Sequence, residues 1–138
     1  MLVRDAMNPV TVTIGPSHTM RDAARRMMAG GTGAAIVFDP DLPGPGIVTE
    51  RDVLAVAGND QDIDSELVRD HLTAELVYAE PEWPLHRAAE AMTTGRFRHI
   101  VVVQDGEIVG ILSMRDIVRR WVAGGFDLAA ASGEVRVG

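Results

Sequence analysis

"GIVTERDVL" occupies Gly46 to Leu54, and "GILSMRDIV" occupies Gly110 to Val118. Each opens on glycine, runs through apolar residues and reaches a hydroxyl. Each then passes through Arg-Asp into a further apolar stretch. An apolar run, a Ser or Thr, and an acid three positions later spell a strand that feeds straight into a helix. The likeness extends upstream with one extra residue in the offset. "LVRD" at Leu2–Asp5 returns at Leu67–Asp70, and Pro16 falls on Pro81. Met20, Ala23, Ala24 and Met27 fall on Leu85, Ala88, Ala89 and Met92. A match along the whole copy, with a single slip in a loop, is a tandem duplication rather than a solenoid array.

Both copies read in the same element order. The extended stretches "VTVTI" (Val10 to Ile14) and "LVYA" (Leu76 to Ala79) are bounded by Pro16 and Pro81. Apolar residues at i, i+3, i+4 and i+7 then predict a helix from Met20 and another from Leu85. Gly30-Gly31 and Gly95 are expected to stop them. Buried strands follow at Ala34–Phe38 and Ile100–Val103. In copy 2 "QDGE" (Gln104 to Glu107) predicts a tight hairpin. Copy 1 has "DPDLPGP" there, whose prolines cannot donate ladder bonds, so the next strand is short or at an edge. Second helices start at Glu50 and Met114, with Ile117, Val118, Trp121 and Val122 as the expected buried side of the latter. Met20, Met27 and Met92 read as core. The order is β-α-β-β-α, twice. Residues 1–58 form one unit, 59–66 an acidic linker, 67–123 a second unit and 124–138 a tail without clear period. "LVRD" reads as the element that fastens each unit to its neighbour.

The 138 residues can bury about 68–70% of their unfolded surface. Each half alone is near the lower limit of independent stability. The absence of cysteine removes disulfides, thiolate nucleophiles and Cys-ligated zinc together. A net charge of −7 argues against a nucleic-acid partner. All 13 basic residues are arginine, which excludes a P-loop or Schiff-base lysine. No apolar run approaches a membrane span and no signal pattern opens the chain, so a soluble cytoplasmic protein is expected. His18, His71 and His86 have neither metal-ligand spacing nor a partner-carboxylate pattern, and Arg4 and Arg69 are free to pair with nearby acids. No Ser-His-Asp set, metal triad or Gly-rich phosphate loop points to an enzyme.

Chemistry concentrates in "TERD" (Thr49 to Asp52) and "SMRD" (Ser113 to Asp116). One reading is a helix N-cap, close to a capping box. The other is a ligand site. A helix N-terminus offers N–H groups and a positive dipole end to an anion. A carboxylate can accept both hydroxyls of a ribose cis-diol, and Ile47 or Ile111 lies two residues earlier, ready to pack on a base. Cap and site are not exclusive. On this reading Asp116→Asn keeps the cap and costs the empty protein under about 1 kcal/mol.

These stretches, with "RHIVVVQDGEIVGILS" before the second helix, resemble the tandem cystathionine-β-synthase (CBS) domain pair, or Bateman module, from "LVRDAM" to about Val122. The resemblance implies an α/β (α+β) fold of two β-α-β-β-α units packed about a pseudo-two-fold axis. It implies a free-standing regulatory module whose clefts bind AMP, ADP, ATP or S-adenosylmethionine, with no required cofactor or metal. Thr49, Asp52, Ser113 and Asp116 would hold ribose, and Ile47 and Ile111 would lie beside the base. Arg98 and His99 match a basic pair that reaches phosphate, and Arg51 and Arg115, beside the motif acids, are expected to bind phosphate as well. Copy 1 has Gly33 and Ala34 where copy 2 has Arg98 and His99, so unequal sites are expected. A homodimer is implied, with an unidentified protein partner as the route of signalling. The rival reading is a CBS-fold interaction module without useful ligand affinity.

Overall fold

A computed structural model describes residues 1–9 and 12–124 of the chain. In order, the elements are helix α1 (Val3–Ala6), strand β1 (Thr13–Ile14), helix α2 (Met20–Gly30), strands β2 (Ala34–Val37) and β3 (Gly46–Thr49), and helix α3 (Glu50–Gly58). A 3-10 turn (Val68–Asp70) leads to strand β4 (Tyr78–Ala79), helix α4 (Leu85–Gly95), strands β5 (His99–Gln104) and β6 (Glu107–Ser113), and helix α5 (Met114–Ala123). The strands form two three-stranded sheets, β1-β2-β3 and β4-β5-β6. In each, the first pair is parallel across a helix and the second antiparallel. Ala34 lies opposite Thr49, and His99 lies opposite Ser113. The slip in the repeat is therefore confined to the β2–β3 connection. Mixed α+β architecture in two copies is what the repeat required.

Local chemistry explains most boundaries. Thr19 caps α2: its hydroxyl accepts the Asp22 N–H at 3.1 Å, and the Asp22 carboxylate accepts the Thr19 N–H at 3.1 Å. That backbone bond holds the Asp22 carboxyl below the usual carboxylate range. Gly31, at φ 64°, ends the helix in the left-handed region. In copy 2 the left-handed residue is Arg96, at φ 58°, and Gly95 is still helical, contrary to the expected glycine stop. A Cβ on residue 95 would fall 2.2 Å from the Phe97 ring, so this glycine makes room for packing. The β5–β6 hairpin turns through Asp105 and Gly106, at φ 52° and 80°, as "QDGE" predicts. β3 spans four residues against seven in β6, as the proline-rich loop predicts. Within the extended stretches, Thr13–Ile14 and Tyr78–Ala79 pair with the central strands, and the Val12 carbonyl also accepts the Ile36 N–H at 3.1 Å. Val10, Thr11 and the tail from residue 125 lie outside the described residues.

The compact units are cut differently from the sequence repeats. One consists of Met1–Pro9 with the chain from Tyr78 onward, and the other is the intervening Val10–Val77. Each copy's lead-in segment thus belongs to the core of the other copy. Val3 and Val68, the valines of the two "LVRD" stretches, are fully buried there. Val3 N–H donates to the Trp83 carbonyl at 2.9 Å, and Val68 N–H to the His18 carbonyl at 2.8 Å. The Met1 carbonyl accepts from Leu85 N–H at the start of α4, and the Glu66 carbonyl from Met20 N–H at the start of α2, both at 2.9 Å. These bonds fill donors that a helix cannot satisfy by itself.

The same lead-in segments account for the glycines that open the motif strands. A Cβ on Gly110 would fall 2.6 Å from the Asn8 carbonyl oxygen, and one on Gly46 2.9 Å from Leu72. The lead-in backbone crosses the strand at these points. Gly110→Ala is expected to cost about 1–2 kcal/mol through overpacking, read as a lower urea midpoint. An unchanged midpoint would show that the lead-in segment yields without cost.

The exposed side of α5 corrects one expectation. Ile117 is buried and Trp121 packs against the core, but Val118 and Val122 are exposed. Arg4 pairs with Glu82, whereas Arg69 donates to the Ser17 hydroxyl at 3.2 Å rather than to an acid. His71 does have a carboxylate partner, Glu66, at 2.7 Å. Their five-residue separation across the 3-10 turn is no helical spacing, so periodicity could not mark it. Arg21 pairs with Asp64 of the linker and holds that carboxyl below its usual range. Lowered Asp22 and Asp64 stabilise the fold above their unfolded pKa, and that contribution is lost as pH falls through the folded value.

Candidate functional site

Each copy builds a corner where the last strand of its sheet runs into its second helix. Thr49 and Ser113 are the N-cap residues and keep extended backbone, so their side chains stand at the helix mouth. At the third helical position the acid turns back. Asp52 Oδ2 accepts the Thr49 N–H at 2.8 Å, and Asp116 Oδ2 accepts the Ser113 N–H at 2.9 Å. Ser113 Oγ accepts the Asp116 N–H at 3.0 Å, closing a reciprocal box. The Thr49 hydroxyl instead donates to Asp52 Oδ2 at 3.2 Å. The capping role of both acids is therefore real.

The second carboxylate oxygen separates the copies. Asp116 is only 7% exposed, and its Oδ1 accepts the Asn8 side-chain amide at 2.9 Å. Arg119 stands 3.8 Å from the same oxygen. In copy 1 both bonds to Asp52 converge on Oδ2, and among the described residues Oδ1 takes none. Asp52 is also less buried than Asp116. Asn8 and its counterpart Thr73 belong to the lead-in segments. Asn8 exchanges two backbone bonds with Ile111, and Thr73 exchanges two with Ile47, all at 2.9 Å. No local pattern could mark Asn8 as the partner of an acid 108 residues away.

Ile47 and Ile111 sit one strand position from the core-facing residues Val48 and Leu112. They lie on the opposite sheet face, across from Ile36 and Val101. Ile47 is buried and Ile111 half-buried. Arg98 and His99 reach the copy-2 corner. His99 is cross-strand from Ser113, and the Arg98 carbonyl accepts the Met114 N–H at 2.9 Å. In copy 1 the Gly33 carbonyl accepts the Glu50 N–H at 2.9 Å in the same way. Arg98, Arg51 and Arg115 have exposed side chains, the latter two on the first turns of α3 and α5, and His99 is half-buried. The structure thus gathers Ser113, Asp116, Arg98 and His99 at one corner and Thr49 and Asp52 at the other. No group of acids and histidines fit to hold a metal occurs among the described residues. No helix there is long and apolar enough to cross a membrane.

Two copies of this sheet, each closed by a capped helix and completed by the other's lead-in segment, define a tandem α/β module. The CBS domain family profile matches residues 3–59 and 68–123, and the chain belongs to that family. A CBS-domain protein of Agrobacterium tumefaciens is 34% identical, with 86% of this chain and 91% of that one covered and a TM-score of 0.75. A CBS-domain protein of Pyrobaculum aerophilum, complexed with AMP, is 27% identical, with 89% and 99% covered and a TM-score of 0.73. A hexameric CBS-CP12 protein from bloom-forming cyanobacteria is 28% identical, with 94% and 77% covered and a TM-score of 0.80. The chain spans between about half and two thirds of the length of the first curated relatives it matches.

Proposed function

We propose that the chain is a regulatory module that binds an adenosine-containing ligand (AMP, ADP, ATP or S-adenosylmethionine) at these corners. Occupancy is passed to a protein partner or through the module's own dimer, and the module is not an enzyme. The observation that carries this reading is the Thr49–Asp52 corner, where both bonds to the carboxylate meet on Oδ2 and, among the described residues, Oδ1 beside the hydroxyl takes none. A ribose diol fits that pair of acceptors and donors. The AMP complex of the Pyrobaculum relative supports the ligand class. A thermal-shift screen with the four ligands tests it. Saturation at about one hundred times the dissociation constant contributes about 2.7 kcal/mol, a rise of roughly 5–10 °C for a chain of this size. No rise with any of the four overturns the reading.

The second reading, a CBS-fold interaction module without ligand affinity, is favoured by the copy-2 corner, where Ser113 and Asn8 already occupy both oxygens of Asp116. Assembly is proposed on either reading. Leu54 on α3 and Val118 and Val122 on α5 are 71%, 53% and 69% exposed. Apolar side chains this open on two helices suit an isologous homodimer. Light scattering at tens of micromolar should give twice the chain mass, and a monomer mass would overturn the dimer.

A further inference from the structure

We infer that Asn8 is an internal competitor for the ribose at the copy-2 corner, so that the empty chain holds one ribose seat open, at Asp52, and one closed, at Asp116. The inference rests on the nucleotide-binding reading above and specifies which corner fills first. In both copies Oδ2 of the acid is bonded to the cap N–H, which leaves Oδ1 for a ribose hydroxyl. At Asp116 that oxygen already accepts the Asn8 side-chain amide at 2.9 Å. Arg119, 3.8 Å away, is beyond hydrogen-bond reach, so the amide makes the one bond to Oδ1 among the described residues. The amide donates where a ribose hydroxyl would donate. Its acceptor is charged and shielded from water, which strengthens the bond a ligand must replace.

The backbone holds the amide in place. Asn8 exchanges two bonds with Ile111, and its carbonyl lies so close to Gly110 that a Cβ there would fall 2.6 Å from it. The main chain at residue 8 is therefore fixed against the strand, and only the side chain is left to move. Asn8 is exposed, so its amide can turn out to water while both backbone bonds stay made. In copy 1 Thr73 stands at the matching point, with the same two bonds to Ile47. Among the described residues no bond from Thr73 reaches Asp52. At the lead-in crossing the two corners thus share a backbone arrangement and differ in one side chain.

Titration calorimetry of the full chain with adenosine tests this. The wild type should take one adenosine per chain, and a second at least about tenfold more weakly. Asn8→Thr, which installs the copy-1 residue, should strengthen that second site about tenfold or more. Asp52→Asn should remove most of the wild-type binding, and adding Asn8→Thr to it should restore one adenosine per chain. The gain from Asn8→Thr should be absent with 2′,3′-dideoxyadenosine, which has no hydroxyl to take the freed oxygen. The reciprocal Thr73→Asn changes an exposed residue and should fold even where Asn8→Thr does not. It should weaken the first site by about tenfold. Two equivalent adenosine sites in the wild type, an equal gain with the dideoxy ligand, or no change in Thr73→Asn would overturn the inference and leave the nucleotide-binding reading standing. Absence of binding in the wild type and every variant, with AMP as with adenosine, would overturn both.

Discussion

Asp116→Asn should lower the stability of the empty chain by about 2–3 kcal/mol, well beyond the cost of a neutral cap exchange. The two Asp116 oxygens accept from different donors, the Ser113 N–H and the Asn8 amide, each at 2.9 Å. Asparagine offers one oxygen. Either orientation of its amide sets an NH2 group against a donor, at a residue only 7% exposed. The charge that strengthens both bonds is lost as well. For this length the melting temperature should fall by roughly 5–10 °C. Asn8→Ala alone should also destabilise, but should cost little once Asp116 is Asn, a coupling of more than about 1 kcal/mol. A single Asp116→Asn variant melting within about 2 °C of wild type would show that the Asn8 bond does not form in solution.

Asp52→Asn should give the opposite pattern, and its effect on ligand response should be the largest of any single change. Both bonds to Asp52 meet on Oδ2. One amide oxygen can accept both, so the empty chain should keep its melting temperature to within about 2 °C. The variant loses the charge that would strengthen bonds to two ribose hydroxyls. A tenfold weaker site gives up about half of a 2.7 kcal/mol ligand stabilisation, and a hundredfold weaker one nearly all of it. The part of the adenosine-induced melting rise that comes from this corner should therefore fall by half or more. A 2′,3′-dideoxy ligand should reproduce that loss on the wild type. If the empty variant collapses while the ligand response survives, Asp52 serves only as a cap.

The contrast between these two acids marks the limit of reading the site from sequence. "TERD" and "SMRD" look alike, and both do form helix starts with an acid bonded to the N-cap N–H. Their inequality comes from residues 8 and 73, which the chain delivers from far away. Asn8 carries a side-chain amide that reaches the carboxylate, whereas no bond from Thr73 reaches Asp52. The Gly33–Glu50 contact is similarly hidden. Gly33 reads as a missing basic residue, and only the folded corner shows an acid lying over it. Val118 and Val122 were legible as apolar but not as exposed, because a helical stripe does not say how wide a neighbouring core is.

Sequence by itself determined the element order, the duplication, the helix starts and the hairpin, because each rests on spacing within a few residues. Amphipathic period placed α2 and α4, hydroxyl–acid spacing placed α3 and α5, and "DG" placed the β5–β6 turn. Tertiary structure alone decided where "LVRD" belongs. Its valine carries an apolar side chain that must be buried, but each copy's own core is already bounded by its sheet and helices. Val3 and Val68 fill the other copy's core instead, where Trp83 and His18 carbonyls await their N–H groups. That exchange brings Asn8 to Asp116 and forces glycine at position 110. The physical reason is that a hydrogen bond or a burial between residues far apart in the chain leaves no period for the sequence to display.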